Sequence, residues 1–191
     1  MNRVTQMIRN WLARFVRSER GGAAAEVAIW CTVIMIPLLS AADVAFYTYR
    51  RMQVDQAVQA GSAAVWTSCN TSAKLPAVKN CSGLATTIAS AIHSTSLGSA
   101  VSTTSGFPTE GYYCVNGAGA LQLLGVAQTI GGNLTPPSPF DCSSVVAGSP
   151  TKPGDYIRLQ VTYSFTPTFS AVPVTAFLPT TIVSEAWVRL N

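Results

Sequence analysis

Charge is scarce in this sequence. Only 10% of its 191 residues are Asp, Glu, Lys or Arg, where a soluble domain carries about 25%. A single histidine, His93, is present, so no imidazole pair can be assembled within the chain. No two cysteines stand at CxxC spacing, and one histidine cannot complete a zinc set. No metal and no cofactor is therefore expected. The G-x-S-x-G, H-E-x-x-H and G-x-x-x-x-G-K patterns are also missing, and without a convergent set of ionisable residues the chain does not read as an enzyme. A basic stripe interleaved with aromatics is absent too. The net charge of +4 belongs to residues 1–21, where Arg3, Arg9, Arg14, Arg17 and Arg20 stand against Glu19; beyond them seven basic residues meet seven acids. Nucleic acid is not an expected partner.

What is present in excess is apolar. Hydrophobic residues make up 48% of the chain and the mean hydropathy is +0.30. From Gly22 to about Tyr49 only Glu26 and Asp43 interrupt an apolar run, and roughly 20 such residues cross a bilayer core as a helix. Five arginines precede the run against Arg50 and Arg51 after it. The positive-inside bias thus places residues 1–21 in the cytoplasm and everything after about residue 45 outside, in a periplasm-like space. Tyr47 and Tyr49 fall where an interfacial aromatic belt belongs. Pro37 predicts a kink, Cys31 reads as a small apolar residue of the span, and Asp43 is expected to reach the headgroups.

The helix is expected to continue beyond the span. "RRMQVDQAVQAGSAAVW" (50–66) has no proline, and Met52, Ala57, Ala60, Ala64 and Val65 are expected on one side, with Ala57, Ala60 and Ala64 three and four residues apart. Its small residues permit close approach of another element. Packing on the chain's own head and packing between subunits are equally open here.

From Ser68 to Pro153 the composition turns to Ser, Thr, Gly, Asn and Pro. Residues 84–96 read as a short amphipathic helix with His93 on its side, 110–115 as a strand, and 120–130 as a weaker one after a turn at Asn116-Gly117. Prolines at 136, 137 and 139 make 131–141 a loop. "DYIRLQVTYSF" (155–165) and "TIVSEAWVRL" (181–190) alternate with period two, as half-buried strands do. The apolar, proline-punctuated stretch between them, holding Phe169, Val172, Val174, Phe177 and Leu178, is expected to fold back over these strands rather than meet a partner or the membrane surface. Cys69, Cys81, Cys114 and Cys142 lie beyond the span, an even number in an oxidising compartment. Of three possible pairings, Cys69–Cys81 and Cys114–Cys142 is favoured. The fold class is α+β: a basic cytoplasmic leader (1–21), a transmembrane and emerging helix (22–67), and a disulfide-bonded head with antiparallel C-terminal strands (68–191).

Glu26 is the informative residue. An acid inside a span costs on the order of 2.5–3.5 kcal/mol, unless it snorkels to the headgroups and offsets the helix dipole. In "RSERGGAAAEVAIW" (17–30), Gly21 is followed by four small residues, Glu26 and an apolar run. This is the pattern cut after glycine by membrane prepilin peptidases, and a glycine lets an extended backbone enter a cleft without a side chain. Together with "FYTYRRMQVDQAVQAGSAAVW" and the two C-terminal strands, the chain resembles the TadE-like pseudopilins of tight-adherence (Flp-type) pilus systems. Members usually carry an aromatic after the glutamate, where Val27 stands here. The resemblance implies an inner-membrane component of type IV pilus assembly, a peptidase substrate with Gly21, Gly22 and Glu26 as its processing residues. Its partners would be the membrane, the prepilin peptidase, other pilin-like subunits and pilus-assembly proteins. Glu26 would then set axial register by neutralising the new amine of a neighbour. Two other readings are an uncleaved bitopic scaffold and a secreted binding domain released after Ala42.

Overall fold

A computed structural model describes residues 19–169 and 173–190. The leader's first eighteen residues, and Val172 of the apolar loop, lie outside the described residues. The described residues divide into two units: 19–46 with 167–169 and 173–178, and 47–166 with 179–190.

One helix, α1 (Glu19–Cys69), contributes to both and runs through Pro37. At about 1.5 Å per residue its 51 described residues measure roughly 75 Å. It is the one helix among the described residues long and apolar enough to cross a membrane. In the first unit α1 is exposed on all sides from Gly22 to Leu38. Leu39, Ser40 and Ala42 are then partly covered and Asp43 is fully buried. The other described part of this unit is the apolar loop, whose Thr168 and Phe169 backbone N–H groups donate to the Asp43 carboxylate at 3.0–3.3 Å.

Two expectations are corrected by this. Asp43 does not extend to headgroups but is turned inward to hold a loop, because a carboxylate can accept several backbone N–H bonds at once. The loop belongs with α1 and not over the strand pair. Its two ends are joined by Phe165 N–H donating to Thr180 O at 2.8 Å.

The second unit is the head. After α1 come a short helix α2 (Ala77–Asn80) and the amphipathic helix α3 (Leu84–His93). Five antiparallel strands follow: β1 (Val101–Thr103), β2 (Thr109–Val115), β3 (Leu121–Thr129), β4 (Gly154–Ser164) and β5 (Thr181–Leu190). β4 organises the sheet. One of its edges pairs with β5 from Asp155↔Leu190 to Ser164↔Thr181. Its other edge is shared by β2, opposite residues 154–158, and β1, opposite 161–163. β3 extends the sheet beyond β2 with a register shift between Glu110 and Tyr112. Gly125, at φ +82°, supplies the left-handed residue on β3 that such an irregularity needs.

Alternation in β4 sends Ile157, Leu159 and Val161 to the core, where they meet the helices. On α1 the buried stripe is Val54, Ala57, Val58, Gly61, Val65 and Cys69, and on α3 it is Leu84, Ile88 and Ile92. Gly61 is the point of closest approach. A Cβ there would lie 2.7 Å from Leu159 Cδ2 and 3.0 Å from Ile92 Cγ2, so even one methyl requires a packed side chain to move. The helix therefore packs on its own head. Of the expected stripe, Ala57 and Val65 are buried and Ala60 and Ala64 partly so, while Met52 is 58% exposed.

A second, smaller core joins Val78, Tyr112, Cys114, Leu124, Leu134 and Cys142. The disulfides are Cys69–Cys81 and Cys114–Cys142, the favoured pairing. The first fastens the end of α1 to the residue after α2; the second fastens β2 to the loop beyond β3. Each closure contributes roughly 2–4 kcal/mol to a head whose second core is thin. The turn after β2 forms as expected, with Asn116 Oδ1 accepting from the N–H groups of Ala118 and Ala120.

Candidate functional site

Two places concentrate chemistry, one on α1 and one in the head. On α1, Gly21 and Gly22 lie within the helix, and Glu26 is exposed one turn further on. The Gly21–Gly22 bond is therefore helical, whereas a peptidase must read an extended backbone. Two adjacent glycines make local unwinding cheap, since each destabilises a helix by about 1 kcal/mol relative to Ala. A Cβ on Gly22 would meet nothing within 4 Å, so the second glycine is not required by packing inside the chain. From Glu26 the surface is continuous large apolar side chains: Val27, Ile29, Trp30, Val33, Ile34 and Met35 are all at least half exposed. Cys31 is free and exposed among them. Glu26 is the sole charged residue on this surface before Asp43.

In the head, two acids are buried together, a feature that composition and spacing did not single out. Glu110 is fully buried at the start of β2, and its two carboxylate oxygens accept from the N–H groups of Ala77 at 2.7 Å and Val78 at 2.6 Å. It thereby caps α2, whose own preceding residue, Pro76, offers no side-chain acceptor. Asp155 is buried beside it on β4, two residues from Ile157 on the same face. Burial, then the neighbouring Glu110 charge and hydrogen bond, pushes the Asp155 carboxyl up to about 8. Burial also raises Glu110, while its bonds from Val78 and Ala77 and from Asp155 act against that rise. Burial raises both acids, so the two titrate as a pair and two adjacent charges are disfavoured there. The sequence did contain a signal. Asp155 has the parity of Ile157, Leu159 and Val161, so the alternation that identifies β4 also places this acid inward.

The remaining polar groups do structural work. His93 ends α3 with Nε2 3.1 Å from Val101 O. Ser184 donates to Asp55 at 2.6 Å, tying β5 to α1. On the outer face of the sheet Arg158 meets Glu185 at 2.6 Å and lies over the rings of Phe107 and Trp187 at 5.2 and 5.3 Å. A shallow depression lined by Leu124, Val126, Asn133 and Leu134 presents no ionisable side chain. Among the described residues no three His, Cys, Asp or Glu side chains converge as a metal set would. Comparison with known protein families, characterised proteins and solved structures gives no match.

Proposed function

We propose that this chain is a pseudopilin-like component of a tight-adherence pilus assembly, held in the bacterial inner membrane by the first half of α1. Residues 1–21 are cytoplasmic and the head is periplasmic. The observation that carries this reading is the contrast on α1 between a fully exposed apolar surface and the single acid at its start, Glu26. A lone carboxylate on a lipid-facing helix is costly, and the cost is removed when a neighbouring subunit brings an amine. Cleavage after Gly21 creates that amine on Gly22. Prepilin peptidase and other pilin-like subunits are then the partners, and no catalytic role is assigned to the chain.

The secreted-domain reading has a specific obstacle. A cut after Ala42 would have to open α1 beside Asp43, the residue that holds the apolar loop. The uncleaved scaffold differs from the main reading only in keeping residues 1–21.

The intact mass of the protein extracted from host membranes separates all three. Loss of residues 1–21 is expected; retention of the whole chain assigns the scaffold, and loss of residues 1–42 assigns the secreted domain. Glu26→Gln should then insert normally yet lose co-purifying pilin-like subunits. Unchanged recovery of those partners with the variant would remove Glu26 from the interface.

A further inference from the structure

We infer that residues 173–178, with the exposed Phe177, form a second membrane contact that enters the lipid leaflet at the level of Asp43. The inference rests on the reading of α1 as a membrane span.

The loop is built for such a place. Between Arg158 and Glu185 the sequence contains no charged residue, and the segment from 167 to 179 carries Pro167, Pro173 and Pro179. Non-helical backbone survives at membrane depth only where its N–H and C=O groups are satisfied within the protein. Each proline removes one N–H that would need a partner. Among the described residues, Thr168 and Phe169 donate to Asp43, and Leu178 N–H donates to Thr175 O at 3.3 Å just after the 3-10 turn Pro173–Phe177. Asp43 is thus an acid of the span with an assigned partner, as acids at that depth require. It accepts from backbone and needs no counter-ion.

The depth follows from α1 alone. Asp43 lies seven residues before Arg50, about 10 Å further into the span at 1.5 Å per residue. Ser40 and Leu39, partly covered in the same unit, lie about 4–6 Å deeper still. Amphipathic elements at an interface bury their apolar face about 5–10 Å into the headgroup and acyl boundary, so a loop held at Asp43 is at lipid level. At that level Phe177, 84% exposed, faces acyl chains and not water. The occupant of this surface is lipid.

The test uses the full chain with Cys31→Ser, keeping both disulfides oxidised, in phosphatidylcholine vesicles with or without shallow doxyl-labelled lipid. A single environment-sensitive fluorophore is attached at Phe177→Cys, at Ile34→Cys within the span, or at Val126→Cys, an exposed apolar position on β3. Loss of emission to doxyl lipid at 34 and 177, but not at 126, is the expected result. Loss at 34 with none at 177 overturns the second contact and leaves the span intact. No loss at 34 removes the span reading itself. Equal loss at 126 and 177 shows that the head meets lipid indiscriminately and overturns the assignment to the loop. Adding Asp43→Ala should return the label at 177 towards its aqueous emission, whereas Asp43→Asn, which keeps an acceptor, should not. Unchanged quenching in Asp43→Ala removes the anchoring role given to Asp43.

Discussion

The two halves of α1 belong to one helix and have opposite surroundings. From Gly22 to Leu38 the helix is exposed on every side, and its side chains are large: Ile29, Trp30, Ile34, Met35, Leu38. From Val54 to Cys69 only a stripe is buried, made of Val, Ala, Gly and Cys, while Gln56, Gln59 and Thr67 stay outside. Uniform hydrophobicity around a helix suits a solvent that is itself apolar, whereas a stripe suits a single protein face. Small residues then fix how near that face can come. Side-chain size and the distribution of apolar residues around the axis mark the two surroundings.

The comparison breaks most sharply under an added charge. Val58→Asp should unfold the head, since an unpaired carboxylate in a packed core costs several kcal/mol. Val33→Asp should leave the thermal melt of the detergent-solubilised head unchanged and instead reduce membrane insertion, by about 2.5–3.5 kcal/mol at a helix centre. Near-ultraviolet circular dichroism and carbonate extraction read the two effects separately. A steric change comes next. Gly61→Leu forces α1 away from Leu159 and Ile92 and should destabilise the head by about 1–3 kcal/mol or more, while Ala41→Leu, on an exposed part of the helix, should stay within about 0.5 kcal/mol. Denaturant melts that respond equally to both substitutions would contradict the division of α1.

A third effect belongs to the head alone. Asp155 binds its proton more tightly folded, near 8, than the ordinary value of 3.8. The stability this contributes is fully present below about pH 4 and is lost as pH rises through 8. The head should therefore melt at higher temperature at pH 5 than at pH 8.5. Asp155→Asn should flatten that dependence while keeping a hydrogen bond to Glu110; a slope unchanged in the variant would dissociate Asp155 from it. The smallest effect is expected from Arg158→Ala. Its ion pair with Glu185 is partly exposed, at 37% and 28%, so screening limits the pair to about 1 kcal/mol or less.

The strands that alternate were legible because period two is imposed by the pleat and needs no knowledge of the partner. β4 and β5 lie close to where alternation ends, and the turn at Asn116 follows from local side-chain chemistry. What escaped was non-local. Asp43 and Thr168 are 125 residues apart, and no periodicity in either segment announces the other. Glu110 and Asp155 meet because β2 pairs with β4 in the register Glu110↔Ile157 and Tyr112↔Asp155. Parity marked Asp155 as inward, but a charged residue at a strand start is ordinarily solvated, and Glu110, the acid it titrates with, stands on another strand. Met52 was misplaced on the α1 stripe for a related reason: where the stripe begins depends on the face that covers it, and Leu159 is supplied by a strand almost a hundred residues later.

That ordering has a temporal consequence. β4 is the strand on which β1, β2 and β5 all assemble, yet it comes near the end of the chain. A ribosome adding about 5–20 residues per second needs on the order of 5–20 s to go from Gly61 to Leu159. Throughout that interval the stripe of Val54, Val58 and Val65 has emerged without the face it will cover. Disulfide Cys69–Cys81, by contrast, joins cysteines only 12 residues apart and can close early, holding the end of the helix against α2 while the sheet is still being made. The head is in this sense assembled from its last strands backwards, and until then the helix offers its small-residue stripe to whatever neighbour is nearest.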